Sequence, residues 1–186
     1  DPAPAELKAL ALATEDAARS VDGIANSEGA GVSAGRSVIA LATSHGFAGG
    51  YTTSGYSAGV SVIAGVGERM QRDHASHSVR HLADLDDPET LGRRAADRTL
   101  KRLNPTKPPS GIMPVLFDPR VSQSLLGHLA GAISGSSVAR KSSFLQDKLG
   151  KRVFAPGVSI VDDPLRPRGL RSRPFDSEGV RVARLE

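Results

Sequence analysis

The spacing of apolar residues changes along the chain, and each change marks a different kind of element. In residues 1–21 apolar side chains recur at the helical period, which predicts an amphipathic surface helix. In residues 24–81 the period falls to two, since Val60 and Val62 alternate with serine and glycine. Residues 87–103 return to the helical period. The pattern predicts an α+β fold: an antiparallel β-meander packed with about three main helices.

Glycine-containing stretches divide the predicted meander into strands. Residues 33–36 (Ser-Ala-Gly-Arg) predict a hairpin turn, and residues 65–67 (Gly-Val-Gly) predict the next turn. The glycine-rich run 46–51 lacks the Lys-Ser/Thr pair of a phosphate-binding loop and does not fit G-x-G-x-x-G. We therefore interpret it as a flexible link or a bulge.

The helix over 87–103 has a clear start signal. Asp87 is a good N-cap, and Pro88 suits the first helical position because its missing N–H would be unpaired there. Basic residues cluster near the other end, where they complement the helix dipole.

Residues 111–141 predict a strand followed by a central helix. The apolar run 112–117 is long enough for one buried strand. Asp118 and Pro119 then begin a helix that we expect to extend over 119–135, with one apolar face.

The opposite side of this helix carries a stripe of glycines, at Gly127, Gly131 and Gly135, with His128 at its edge. A glycine inside a helix costs about 1 kcal/mol relative to alanine, so the stripe requires a compensating contact. We expect a second backbone to pass close to it, which would make this a helix buried on two sides at the centre of its domain. A frayed, weakly helical segment is the alternative.

Residues 142–186 predict little core. We expect a short helical turn, a short strand over 158–161, and an extended basic tail. The tail carries Arg166, Arg168, Arg171 and Arg173, which either contact phosphates or form a solvated arm or interface strand. The whole chain, 1–186, is expected to form a single α+β domain.

Composition limits the possible functions. No cysteine is present among the 186 residues, which excludes disulfides, thiolate metal sites and a cysteine nucleophile within the chain. No apolar run approaches the roughly 20 residues of a membrane span, so we expect no membrane association and a cytoplasmic location. The net charge of +4 permits nucleic-acid binding without arguing for it. The chain begins without Met and is expected to be a piece of a longer protein.

Two groups of residues are potential metal ligands, and each has an alternative structural role. His74, His77 and His81 lie close in sequence and could form a metal site. A strand places His74 and His77 on opposite faces, however, so the alternative interpretation is a polar strand end. Asp162 and Asp163 either bind a cation or form a turn before the following proline. The residues by themselves reveal no catalytic or metal site.

Six short runs, in order along nearly the whole chain, resemble the TldD/PmbA family, whose members are described as proposed modulators of DNA gyrase and as metallopeptidases. The runs are 26–30 (NSEGA), 46–51 (GFAGGY), 114–119 (PVLFDP), 125–130 (LLGHLA), 140–144 (RKSSF) and 173–179 (RPFDSEG). The resemblance implies the central portion of a longer PmbA/TldE-like chain.

The resemblance also implies where a metal site is absent. A TldD-type subunit carries HExxxH on the equivalent of the central helix, with two zinc-binding histidines and a glutamate general base. The corresponding positions here are Gly127, His128 and Ala132. The resemblance therefore implies no catalytic residue and no metal ligand in this chain, with zinc in a TldD-type partner.

Two functions follow from the resemblance. The first is a non-catalytic subunit that forms a heterodimer with a TldD-like subunit, or a homodimer in its absence, and acts on unfolded peptides. Gly127, His128, Gly131 and Gly135 would then serve structure or the partner interface. The second is a regulator of DNA gyrase or another DNA-associated partner. A metalloenzyme with an unfamiliar site at His74 and His77 is a weaker third option.

Overall fold

Residues 2–185 are described by a computed structural model and form four α-helices and three β-strands. The elements in chain order are α1 (Pro4–Arg19), β1 (Ile24–Ala42), β2 (Ala48–Ala64), β3 (Gln71–Val79), α2 (Pro88–Leu100), α3 (Pro119–Ile133) and α4 (Gly135–Ala139). Single 3₁₀ turns at Gly67–Arg69 and Leu82–Asp84 flank β3. The predicted α+β class, with an antiparallel meander and three main helices, is confirmed.

The three strands form one antiparallel sheet in the order β1-β2-β3. β1 and β2 make a long hairpin in which Ile39 pairs with Tyr51. The turn lies at residues 43–47, where the Thr43 N–H donates to the Phe47 carbonyl at 2.9 Å and Gly46 adopts a φ of 88°. Glycine suits this position because it enters the left-handed region without steric cost.

The predicted hairpin turn at residues 33–36 is wrong. β1 continues through this stretch, and Arg36 pairs with Ser54 of β2. A tight hairpin turn requires positive φ at one or two central residues. Gly35 is not among the glycines with positive φ, so the stretch stays extended and the chain reverses only at Gly46.

Helices α1 and α2 cover one face of the sheet. Val60 and Val62 of β2 are buried against Leu91 and Ala95 of α2, and Ala18 brings α1 into the same core. These side chains alternate along β2 and follow the helical period on α2, as the sequence indicated. The core is made of small aliphatic residues, which lets the two helices approach each other closely.

The start of α2 follows the predicted capping pattern. The Thr90 N–H donates to Asp87 Oδ1 at 2.9 Å, and the Thr90 hydroxyl donates to Asp87 Oδ2 at 2.7 Å. Pro88 occupies the first turn. These contacts lower the pKa of Asp87 below its usual 3.8, with the Thr90 hydroxyl as the largest cause.

The expected single domain is corrected to two compact units. Residues up to Thr106 and from Val161 onward form the first, which we call the sheet unit. Residues Lys107–Ile160 form the second, which we call the inserted unit because it interrupts the first in sequence. The division follows from the proline-rich linker at 104–109 and from the limited apolar burial beyond it.

Two predicted strands are absent from the described structure. Residues 112–117 form no strand, and Ile112 and Leu116 are fully exposed. Residues 158–161 also lack strand structure, and the segment after them forms isolated bridges between Asp162 and Leu185 and between Phe175 and Arg181. An apolar run becomes a strand only when a neighbouring strand satisfies its backbone groups, and neither segment has such a neighbour within residues 2–185.

Candidate functional site

The central helix of the sequence analysis is α3, in the inserted unit. Asp118 caps it by accepting the Arg120 N–H at 2.9 Å, and its carbonyl accepts the N–H groups of Val121 and Ser122. The helix ends at Ile133. Gly135 therefore lies outside α3 and is the first residue of α4, which corrects the predicted extent of 119–135.

The predicted close packing on the glycine stripe is wrong for the described chain. A Cβ added to Gly127, Gly131 or Gly135 would meet no atom within 4 Å. Ala132 is the buried residue of α3, and Ser143 Oγ donates to its carbonyl at 2.7 Å. The stripe is therefore open, and α3 is not buried on two sides.

The apolar face of α3 is also open. Four aliphatic side chains on this helix are each about half exposed or more: Val121, Leu125, Leu126 and Ile133. A surface helix of a folded domain normally buries such a face. An exposed apolar cluster of this kind is typical of an interaction surface.

The positions compared with HExxxH do not fit zinc. His128 is exposed on α3, Gly127 has no side-chain donor, and Ala132 is a buried methyl group. A catalytic zinc site needs three protein ligands that converge on one ion. Within residues 2–185 no group of three or more His, Asp or Glu side chains is arranged to hold a metal ion.

The structure separates the histidines of β3. His74 projects from the exposed face of the sheet, whereas His77 lies on the face towards the helices, as the strand period predicted. His77 Nδ1 accepts the Asp86 N–H at 3.1 Å, and the Asp86 carboxylate pairs with Arg94 at 2.8 Å. His77 thus has a structural role at the start of α2, and His81 lies beyond the end of β3.

The role of Arg80 was not predicted from the sequence. Its guanidinium donates to the carbonyl of Gly169 at 3.3 Å and to that of Leu170, in the C-terminal segment. It also donates to the Thr53 hydroxyl and to the Ser54 carbonyl, at 2.8 Å for the latter. The Arg80 side chain therefore joins β2 to a segment that lies 89 positions beyond Arg80 in the chain. No local sequence pattern could reveal such a contact.

A second contact holds the C-terminal segment to the hairpin turn. The Phe47 and Phe175 rings meet edge to face with centroids 4.9 Å apart, and Tyr51 lies 5.4 Å from Phe175. Gly179, with a φ of 84°, lies so close to Phe47 that an added Cβ would come within 2.5 Å of Cγ. Two of the runs that resemble the family, 46–51 and 173–179, thus pack against each other through their aromatic rings.

A partly open pocket of about 750 Å³ lies between the C-terminal segment and the sheet in the sheet unit. Tyr51, Thr53 and Arg80 line one part. The C-terminal segment supplies the rest, including Asp162, Asp163, Arg166, Arg171 and Arg173. Arg168, the remaining arginine of the cluster at 166–173, instead pairs with Asp84 at 2.7 Å.

The described part of the chain contains no helix long and apolar enough to cross a membrane.

Comparison with known proteins places both parts of the chain. Residues 1–103 match the model described as the PmbA/TldA metallopeptidase central domain. Residues 110–186 match the model described as the PmbA/TldA metallopeptidase C-terminal domain. The boundary between the two models lies in the same proline-rich linker at which the inserted unit begins.

Individual relatives agree with these models. The chain is 42% identical to Metalloprotease PmbA of Escherichia coli O157:H7, covering 98% of this chain and 41% of the relative. It is 42% identical to a Metalloprotease PmbA homolog of Haemophilus influenzae, covering 93% of this chain and 39% of the relative.

A solved structure from Bacteroides thetaiotaomicron, described as a proposed modulator of DNA gyrase, superposes with a TM-score of 0.91 at 26% identity. The match covers 99% of this chain and 42% of that one. The chain thus spans about two fifths of the length of the relatives it matches. The two domain models and the 42% identity over nearly the whole chain show that it belongs to the TldD/PmbA family of metallopeptidases.

Proposed function

We propose that this chain belongs to a non-catalytic subunit of a TldD/TldE-like zinc metallopeptidase complex that degrades or processes unfolded peptides. The proposal rests on the absence of a zinc-binding set of side chains in α3. At the positions compared with HExxxH, the helix presents glycine, histidine and alanine, which cannot form a three-ligand zinc site. In this proposal a TldD-type partner holds the zinc, activates water and polarises the peptide carbonyl.

The open apolar face of α3 supports an interface role. Val121, Leu125 and Leu126 expose about half of their surface, and burying such side chains contributes about 1.5–3 kcal/mol each when burial is complete. We propose that this face docks on the TldD-like subunit, or on a second copy of this chain when that subunit is absent. The glycine stripe with His128 then lies beside the interface on the same short helix.

The test compares the protein alone with the protein mixed with a TldD-type subunit. Alone, it should not cleave an unfolded peptide such as reduced, denatured casein. With the partner, cleavage should occur and should stop on addition of a chelator. Chelator-resistant cleavage by the protein alone, lost when one of its own serines or histidines is replaced, would refute the proposal.

A matched pair of variants tests the interface. Leu125→Arg places a charge in the apolar face of α3 and should abolish co-purification with the partner. Gln123→Arg adds the same charge at another exposed position of the helix and should leave co-purification unchanged. Equal behaviour of the two variants would exclude the apolar face as the docking surface.

A second candidate function is regulation of DNA gyrase. The description of the Bacteroides relative favours it, together with the net charge of +4 and the arginines of the C-terminal segment. Binding to DNA would weaken steeply as salt concentration rises, because bound counterions are released. A supercoiling assay with purified gyrase, with and without the protein, distinguishes this function: an unchanged supercoiling rate would exclude it.

A further inference from the structure

The pocket in the sheet unit is built from residues distant in sequence and held in place by Arg80. Because Arg80 donates to the carbonyls of Gly169 and Leu170, it fixes the loop that carries the neighbouring arginines against β2. Its own guanidinium is occupied by these bonds and by Thr53 and Ser54. Arg80 therefore acts as the support of the pocket.

Among the described residues, three other arginines at the pocket form no salt bridge. Within residues 2–185, the side chains of Arg166, Arg171 and Arg173 make no ion pair or hydrogen bond, in contrast to Arg168. Arg173 lies near enough to Asp176 to contribute to the lowered pKa of that carboxyl, although backbone N–H groups of Val180 and Glu178 are the larger causes. Three unpaired guanidinium groups around one cavity favour an anionic ligand, since planar guanidinium groups match carboxylate geometry.

The pocket is not uniformly basic. Asp162 and Asp163 line it as well, and Tyr51, Val182 and Leu185 add aromatic and aliphatic surface. Its volume of about 750 Å³ is within the range of small-ligand sites, which is about 300–1,000 Å³. This mixture suits a short peptide, whose carboxylate meets the arginines while its N–H groups and side chains meet the acids and the apolar surface.

We propose that this pocket binds a carboxylate of a peptide, supplied either by its C-terminus or by an acidic side chain. The proposal rests on the proposed function, because it identifies where a peptide presented to the complex is held by this subunit. A nucleic-acid phosphate backbone fits less well, since the two aspartates in the pocket lining repel a repeating anion.

The experiment measures peptide binding to the metal-free protein by isothermal titration or NMR, without a partner and without cleavage. Three acetylated tetra-alanine probes are compared: one with a free C-terminus, one with a C-terminal amide, and one amide with a single alanine replaced by glutamate. Binding of the first or the third, with dissociation constants of about 0.1–1 mM, and no binding of the second are expected. The two binding arms tell a terminal carboxylate from a side-chain carboxylate.

Single variants locate the site. Arg166→Gln, Arg171→Gln and Arg173→Gln should each weaken binding about three- to tenfold, the size of one partly exposed charge-assisted hydrogen bond. Arg171→Lys should retain part of the affinity, because it keeps the charge. Arg181→Gln is the matched control: it removes the same charge from the same segment outside the pocket lining and should leave binding unchanged. Thermal melting confirms that each variant is folded.

Three results would overturn the proposal. The first is the absence of saturable binding of either carboxylate probe at about 10 mM. The second is a loss of affinity in Arg181→Gln equal to that in the pocket variants. The third is arginine-dependent binding of an oligothymidylate that is tighter than binding of the peptides. Any of these, combined with intact chelator-sensitive cleavage in the presence of a TldD-type subunit, would refute the pocket and leave the proposed function standing. Carboxylate binding to the pocket without cleavage in that mixture would support the pocket and refute the proposed function.

Discussion

Replacing Gly92 with alanine is expected to destabilise the sheet unit, although the change removes a glycine from a helix. Gly92 lies where α2 crosses α1. An added Cβ would lie 2.7 Å from the backbone nitrogen of Ala18, 2.7 Å from the Thr14 carbonyl oxygen and 2.8 Å from the Ala17 Cβ. Thr14 and Ala18 are fully buried, so α1 must shift to admit the methyl group.

Two opposing effects set the magnitude. Alanine gains about 1 kcal/mol over glycine in helix propensity. Overpacking a well-packed core costs about 1–3 kcal/mol, and the upper part of this range applies here because backbone atoms are in the way. The free energy of unfolding should therefore fall by about 1–2 kcal/mol, which lowers the melting temperature by about 2–8 °C.

Thermal and urea unfolding followed by circular dichroism measure this change. Gly127→Ala is the matched control, because that helical glycine has no atom within 4 Å of an added Cβ. The control should stabilise the inserted unit by up to about 1 kcal/mol, the full propensity gain. A Gly92→Ala protein that melts at or above the temperature of the unchanged protein would show that the two helices are not in close contact.

Three further changes test the described contacts. Gly179→Ala should destabilise the C-terminal segment by about 1–3 kcal/mol, since it combines a positive φ with a clash on Phe47, and faster amide exchange in that segment would show it. Asp87→Asn should flatten the acid side of the stability profile: the lowered pKa of Asp87 means that its contribution is present above pH about 4 and is lost as pH falls through the folded pKa. Urea midpoints from pH 7 to pH 3 measure this, and a profile identical to that of the unchanged protein would contradict the cap to Thr90. Arg80→Lys should release the C-terminal segment despite keeping the charge, because one ammonium cannot reach four acceptors in fixed directions; unchanged exchange protection there would contradict the role of Arg80 as a support.

Local signals explain what the sequence predicted correctly. The start of α2 depends on Asp87 and Pro88 alone, both adjacent to the helix they begin, and the alternation along β2 depends only on which face is buried. The strand expected at 112–117 failed because an apolar run does not say whether a neighbouring strand exists. The turn was misplaced to 33–36 because glycine permits positive φ but does not require it.

The meaning of a glycine in a helix depends on what lies opposite. Gly92 and Gly127 are both helical glycines, yet Gly92 is required for a close crossing and Gly127 lies open. The position of α1 decides the first case, and nothing within α2 reveals it.

The pocket could not be predicted from the sequence either, because Arg80 and Gly169 are brought together only by the folded chain. The arginine cluster at 166–173 was recognised, but its separation into Arg168, which pairs with Asp84, and three arginines at the pocket was not.

The discontinuity of the sheet unit has a consequence for synthesis and folding. Residues 2–106 leave the ribosome before the inserted unit and can complete the three-stranded sheet, since its pairings are all between neighbours in sequence. The partner ring at Phe175 and the carbonyls that hold Arg80 emerge only after the inserted unit, several seconds later at about 5–20 residues per second. Until then, the turn of the hairpin and the guanidinium of Arg80 stay in water. The length of the inserted unit sets the time between synthesis of the two parts of the sheet unit. This length has little effect on the free energy of folding, because doubling the length of a closing loop costs only about 0.6 kcal/mol.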